Sequence, residues 1–271
     1  MPELPEVETV ARGLGELLVG RTFTGVTVHW PRTVAQPPSD IFPAAITGRR
    51  VRSVGRRGKY VVITLERGYL LIHLKMSGRL RVVSAGEPLD PHTHTIFDLD
   101  DGWQLRFNDT RKFGRVYLVD RLEEVTGHLG PEPLADDLTL DRFRTLLARR
   151  SGRLKSLLLN QEFVAGVGNI YADETLFGAR LHPLRGADTL SPEEEGRLYE
   201  SMRRVLQRAV DSRGTTLDDT GYVDARGQAG QYQEQLAVYG REGQPCRVCG
   251  TLIERMVIGG RSCHYCQHCQ T

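Results

Sequence analysis

The change of hydrophobic period near residue 130 constrains this chain most. From Thr22 to Val119 the apolar residues fall in short β-rich runs: Thr24 to Trp30, Tyr60 to Leu65, Tyr69 to Leu74, Arg79 to Val83, Thr95 to Leu99, Trp103 to Phe107 and Val116 to Val119. Arg67-Gly68 and Asp101-Gly102 mark tight turns between them. After Gly130-Pro131-Glu132-Pro133 the spacing becomes helical: Leu140 to Arg149, Leu154 to Gln161, Asn169 to about Ala179, and a helix opened by the capping box Ser191-Pro192-Glu193-Glu194 and closed near Gly214. A helix precedes the strands, with Val7, Val10, Ala11, Leu14, Leu17 and Leu18 on one face. The expected fold is α+β and multidomain. An N-terminal β-sandwich or barrel with a leading helix spans 1–130, a linker 131–138, a helical domain 139–236 and a cysteine-bearing segment 237–271. The stretch 215–231, rich in Gly, Asp and Gln, reads as a functional loop.

All five cysteines lie beyond residue 245, a poor layout for a disulfide framework. Cys246-x2-Cys249 and Cys266-x2-Cys269 form a four-thiolate pattern that implies one structural zinc ion. Cys263 creates a second possible register, because Cys263-x2-Cys266 is also a pair. No apolar run approaches the ~20 residues of a membrane span, and no secretory signal opens the chain, so an intracellular protein is expected.

The formal charge is only +2, yet Arg49 to Lys59 and Arg142 to Lys155 each hold six basic residues and no acid. Together with Arg111-Lys112 and Arg115 they point to a polyanionic partner. The turn Gly166-Val167-Gly168-Asn169 ends at a helix start, where free N–H groups favour a phosphate, and Asn169 is a candidate cap.

Met1-Pro2-Glu3 offers chemistry. Once Met1 is removed, Pro2 carries a free α-amino group, which titrates near 7.7–8.0 where lysine titrates near 10.4. Such an amine attacks a sugar carbon to give a Schiff base, and the adjacent Glu3 can move protons. Pro5, Glu6 and Glu8 suit a helix N-terminus.

These stretches add up to a resemblance. MPELPEVET at the start, GRRGKY around Lys59, IHLKMSG at 72–78, DTRKFG at 109–114, HLGPEPL at 128–134, VAGVGNIYADE at 164–174, LAVYGR at 236–241 and the final cysteines resemble, in order and over the whole chain, the formamidopyrimidine-DNA glycosylase family, which belongs with endonuclease VIII in a wider group. The resemblance implies a β-sandwich, a helix-two-turn-helix domain and a zinc hairpin holding damaged duplex DNA in a cleft. It further implies a monomeric bifunctional glycosylase and apurinic/apyrimidinic lyase for oxidised purines, working in the bacterial cytoplasm on the nucleoid. By the same resemblance Pro2 is the nucleophile, Glu3 the proton donor, Lys59 the helper of β-elimination and Arg261 of δ-elimination. Met76, Arg111 and Phe113 match the residues that fill the hole left by an extruded base. His92, Arg150, Lys155 and Asn169 match contacts to the DNA backbone or lesion. Cys263 stands where the family has threonine, leaving Cys246, Cys249, Cys266 and Cys269 as zinc ligands. Lys75, Thr110, Lys112 and Gln267 also depart from the family pattern. The alternatives are an endonuclease VIII-like enzyme for oxidised pyrimidines and a zinc-dependent DNA-binding protein without catalysis.

Overall fold

The computed structural model describes residues 1–217 and 221–271, so Asp218, Asp219 and Thr220, inside the loop expected over 215–231, lie outside the described residues. The chain divides into two compact units.

The first unit comprises Met1–His128 and Ser212–Gln233. Its helix α1 (Leu4–Leu18) starts with Pro5 in the first turn and buries Leu4, Val7, Val10, Ala11, Leu14 and Leu18, the face set by the 3.6-residue spacing. The strands β1 (Phe23–Val28), β2 (Val34–Gln36), β3 (Val51–Arg57), β4 (Tyr60–Leu65), β5 (Tyr69–His73), β6 (Gly78–Ser84), β7 (Thr93–Leu99), β8 (Trp103–Asp109) and β9 (Arg115–Val119) form two sheets. One runs β1-β7-β8-β6, the other β2-β9-β5-β4-β3. Their pairings are antiparallel apart from β2 with β9, which is parallel. Short helices α2 (Phe42–Ile46) and α3 (Glu123–Thr126) fill the connections. The expected sandwich with its leading helix is present. Its core packs Phe23, Phe42, Phe97 and Phe107 with the buried face of α1. Tyr222 and Ala225 belong to that core, which is why Ser212–Gln233 packs here rather than with the helices that precede it.

The second unit comprises Leu129–Asp211 and Glu234–Thr271. It holds α4 (Leu140–Leu147), α5 (Leu154–Leu159), α6 (Asn169–Ala179), α7 (Pro192–Asp211) and the antiparallel hairpin of β10 (Glu254–Ile258) and β11 (Arg261–Tyr265). Between α5 and α6 the side chain of Gln161 bridges the turn: its Oε1 accepts the Gly166 N–H at 2.9 Å and its Nε2 donates to the Val167 carbonyl at 2.8 Å. Helix α6 is buried on nearly every side and therefore carries Asp173 and Glu174 into the interior. Among the described residues no helix is long and apolar enough to cross a membrane.

Candidate nucleic-acid interface and metal centre

Pro2 and Glu3 lie buried at the start of α1, and Glu3 is its N-cap residue. The Glu3 N–H donates to Glu6 Oε2 at 2.8 Å, and the other Glu6 oxygen accepts the Thr215 N–H at 2.7 Å. One buried carboxylate thus fixes both the chain start and the first residues of the 215–231 loop. The sequence suggested only a capping role for Glu6; its tie to Thr215 spans 209 residues.

Lys59 occupies the two-residue turn between β3 and β4, whose last ladder pair is Arg57 with Tyr60. Gly58 takes a φ of 55° there, open to glycine at no steric cost. Next to this turn Arg56 pairs with Glu8 of α1 at 3.0 Å, clamping β3 to the helix. Burial alone would raise the Glu8 carboxyl, but the Arg56 and Arg12 guanidiniums hold it below its ordinary value, so it is ionised at neutral pH.

Beyond β5 the chain turns sharply through Lys75, whose φ is 54°. The Lys75 N–H donates to His73 Nδ1 at 3.0 Å, and the His73 ring meets Tyr60 edge-on with centroids 4.6 Å apart. Burial, reinforced by the Lys75 and Lys59 cations, pushes the His73 imidazole down to about 3, so it is neutral and acts as an acceptor. This turn presents Met76, half-buried. On the neighbouring loop Phe113 is 48% exposed, and the Arg111 guanidinium lies 5.0 Å from its ring centroid. His92 is exposed beside them in sequence register with β8, its carbonyl accepting the Asp109 N–H at 3.0 Å. The structure therefore gathers Met76, His92, Arg111 and Phe113 at one end of the first unit.

In the second unit Asn169 is the first helical residue of α6, with Gly168 as N-cap, so its side chain does not cap the helix. Instead Asn169 Nδ2 donates to the Ser262 carbonyl at 3.0 Å, beside the exposed Arg261. Arg150 sits half-buried in the turn after α4. Lys155 is placed differently from the solvent-facing cation that a DNA contact needs. It is wholly buried, its Nζ donating to Asp173 Oδ1 at 2.7 Å and to the Asn169 carbonyl at 2.9 Å. In this arrangement it orders the start of α6 by holding the Asn169 carbonyl and Asp173. Asp173 also accepts the Cys263 thiol at 3.1 Å and the His264 N–H at 2.9 Å. Glu174 accepts the N–H groups of Ala237, Val238 and Tyr239 at 2.8–2.9 Å, although burial pushes its carboxyl up. Sequence reasoning missed Asp109, Asp173 and Glu174; for the last two the available signal was a pair of acids inside the largely apolar run Ile170 to Phe177.

The four sulfurs of Cys246, Cys249, Cys266 and Cys269 lie within 4.8 Å of one another. Cys246 and Cys269 are 3.9 Å apart and Cys249 and Cys266 3.5 Å. A tetrahedral zinc with bonds of ~2.3 Å requires sulfur separations of ~3.8 Å, so the four thiolates fit the ion. Cys263 is turned away to Asp173, which resolves the register left open by the spacing.

With this geometry in place, known proteins supply the family. Formamidopyrimidine-DNA glycosylase N-terminal domain matches residues 1–116, its H2TH domain residues 129–220, and the zinc finger found in FPG and IleRS residues 243–271. A formamidopyrimidine-DNA glycosylase of Herpetosiphon aurantiacus is 49% identical over the full length of both chains. The chain belongs to the formamidopyrimidine-DNA glycosylase family. A relative of that name from Pelotomaculum thermopropionicum is also 49% identical, covering 100% of this chain and 99% of its own. The crystal structure of MutM (FPG) from Thermus thermophilus superposes with a TM-score of 0.90 at 44% identity, covering 99% of this chain and 98% of that one. A Lactococcus lactis Fpg variant bound to DNA containing Fapy-dG superposes at 0.92 with 33% identity over the full length of both chains. Membership in this family identifies the four-cysteine cluster as its zinc finger, holding one structural Zn2+.

Proposed function

We propose that this chain is a bifunctional DNA glycosylase and apurinic/apyrimidinic lyase that removes oxidised purines, 8-oxoguanine and formamidopyrimidines, from duplex DNA in base excision repair. The observation that carries this reading is the Pro2-Glu3 start of α1, buried and fixed by Glu6, in a chain that matches the family from end to end. The enzyme acts as a monomer in the bacterial cytoplasm, on the nucleoid.

The Pro2 nitrogen, freed of Met1, attacks C1′ of the damaged nucleotide. The C1′–N bond to the base breaks and the base leaves, with the Pro2 nitrogen now bonded to C1′. Glu3 gives a proton to the ring oxygen as the C1′–O4′ bond breaks, and the lone pair of the Pro2 nitrogen closes a cationic imine to the opened sugar. Loss of a C2′ proton then expels the 3′ phosphate, whose charge Lys59 offsets, and a second elimination assisted by Arg261 releases the 5′ phosphate. Taking a base out of the stack costs a few kcal/mol, and Met76, Arg111 and Phe113 offset that cost by occupying the vacated space. His92, Arg150 and Asn169 hold phosphates, which position the duplex without reading its sequence. Zinc, when bound, stabilises the hairpin that carries Arg261 and Ser262.

The test is borohydride trapping on duplexes carrying 8-oxoguanine or thymine glycol, because hydride reduces the imine to a stable covalent adduct. Preparations whose intact mass shows Met1 removed should trap on 8-oxoguanine, and Glu3→Gln should bind duplex DNA without excision. Stronger trapping on thymine glycol would assign the chain to oxidised pyrimidines instead.

A further inference from the structure

Three features of the first unit meet at one buried carboxylate. Asp109, at the end of β8, is 1% exposed. Its Oδ1 accepts the Ser77 hydroxyl at 2.5 Å and the Arg111 N–H at 3.2 Å, and its Oδ2 accepts the Gly114 N–H at 2.6 Å. The Arg111 N–H is shared with Ser77 Oγ at 3.2 Å, closing a small ring of hydrogen bonds. The Asp109 backbone extends the same role: its N–H donates to the His92 carbonyl at 3.0 Å, and its carbonyl accepts the Lys112 N–H at 3.2 Å and the His94 ring at 2.7 Å. Ser77 follows Met76 directly, and Gly114 follows Phe113.

We infer that Asp109 is the positioning residue for base extrusion, a staple that holds the Met76 turn and the Arg111–Phe113 loop at one fixed spacing so that all three side chains enter the duplex together. The inference rests on the proposed role of those three residues and adds the device that aligns them. Met76 and Phe113 sit 37 residues apart on separate loops, and neither loop is part of a sheet at that point. Without a shared anchor each would sample its own positions, and a wedge has to be preformed to offset unstacking rather than be ordered by it. Close packing reinforces the staple: a Cβ at Gly114 would come 2.3 Å from the Phe107 ring and 3.1 Å from Asp109 Oδ2. The loop can therefore approach the carboxylate only with glycine at 114. A carboxylate suits the site because the Ser77 hydroxyl and the Arg111 and Gly114 N–H groups that meet it are all donors; an amide would place an NH2 against one of them.

Asp109→Asn in the full-length protein tests this. One or two buried donors are left unpaired, so single-turnover excision of 8-oxoguanine from duplex DNA should slow roughly 10–100-fold. Cleavage of a preformed abasic site, which has no base to extrude, should slow several-fold less. The fluorescence rise of a 2-aminopurine beside the lesion, which reports unstacking, should shrink in parallel with excision. Asp109→Asn and Met76→Ala should be non-additive, because one acts through the other. Ser77→Ala, which keeps Asp109 and deletes one ligand, should give a smaller loss in the same direction and carries the test if Asp109→Asn does not fold. Equal loss on the abasic site, an unchanged 2-aminopurine signal, or strict additivity with Met76→Ala would overturn the assignment. Wild-type excision by Met76→Ala alone would instead remove the wedge reading on which it stands, a separate and recognisable failure.

Discussion

Replacing His73 by Asn should change how the stability of the first unit responds to pH. His73 accepts the Lys75 N–H on Nδ1, and Asn can offer its Oδ1 to the same donor without titrating. In the native protein burial and the flanking Lys75 and Lys59 charges lower the imidazole from 6.5 to about 3. The unfolded chain therefore takes up a proton as pH falls below about 6.5, whereas the folded chain resists until about 3. Stability is unaffected by this residue above 6.5 and declines as pH falls through the window 6.5 to 3. At ~1.4 kcal/mol per pH unit the loss is ~2 kcal/mol by pH 5 and tends to ~4–5 kcal/mol at the lower end. Both tryptophans, Trp30 and Trp103, belong to the first unit, so tryptophan fluorescence follows its urea unfolding selectively. Measured at pH 7.5, 6 and 5, the gap between wild type and His73→Asn should shift by ~2 kcal/mol in favour of the variant, because every other titrating group cancels in the difference. Parallel pH profiles for the two proteins would refute the assignment of His73 as a buried neutral acceptor.

Asp173→Asn should destabilise the second unit by ~3–5 kcal/mol, because it strands the fully buried Lys155 charge, whereas Lys155→Met with Asp173→Leu should recover part of that loss, the His264 N–H staying unpaired; thermal unfolding of the three proteins checks the order. Chelation of zinc, or Cys249→Ala, should lower duplex affinity at least tenfold, because the hairpin relies on a core as small as Val238, Cys246, Ile253 and Cys266 and loses the metal's ~10–16 kcal/mol. Undiminished affinity in protein shown by mass to be zinc-free would separate the hairpin from DNA binding.

What was legible in the sequence was local. The helix at 169–179 and the strand at 60–65 fall where the spacing places them, since each has enough residues to display its period. The four thiolates were legible as Cys-x2-Cys pairs except for the register that Cys263 left open, which its thiol settles by facing Asp173. Val51–Arg57 was not: three of its seven residues are arginines, and as an edge strand beside β4 it reads as a basic run rather than an alternating one. The segment at 34–36 is too short to show any period.

The candidate site divides along the same line. Residues that would touch DNA or sugar announce themselves by type: a terminal proline beside a glutamate, a methionine and a phenylalanine in glycine-flanked turns, arginines without acids. Residues that hold those groups in place do not, because a buried carboxylate and a solvated one are written with the same letter. Asp109 reaches Ser77 across 32 residues, Asp173 reaches Cys263 across 90, and Glu6 reaches Thr215 across 209. Each acid satisfies donors that burial would otherwise leave unpaired, at a cost of ~1–3 kcal/mol apiece. The fold can therefore keep them only where those distant donors converge. Cys263 shows how this acts on family departures: a thiol is acceptable in place of threonine because Asp173 requires only a donor at that point, and the thiol provides one. The positions that depart from the family pattern are thus best judged by the donors and acceptors facing them, and the same standard makes Asp109 the residue on which the alignment of Met76, Arg111 and Phe113 depends.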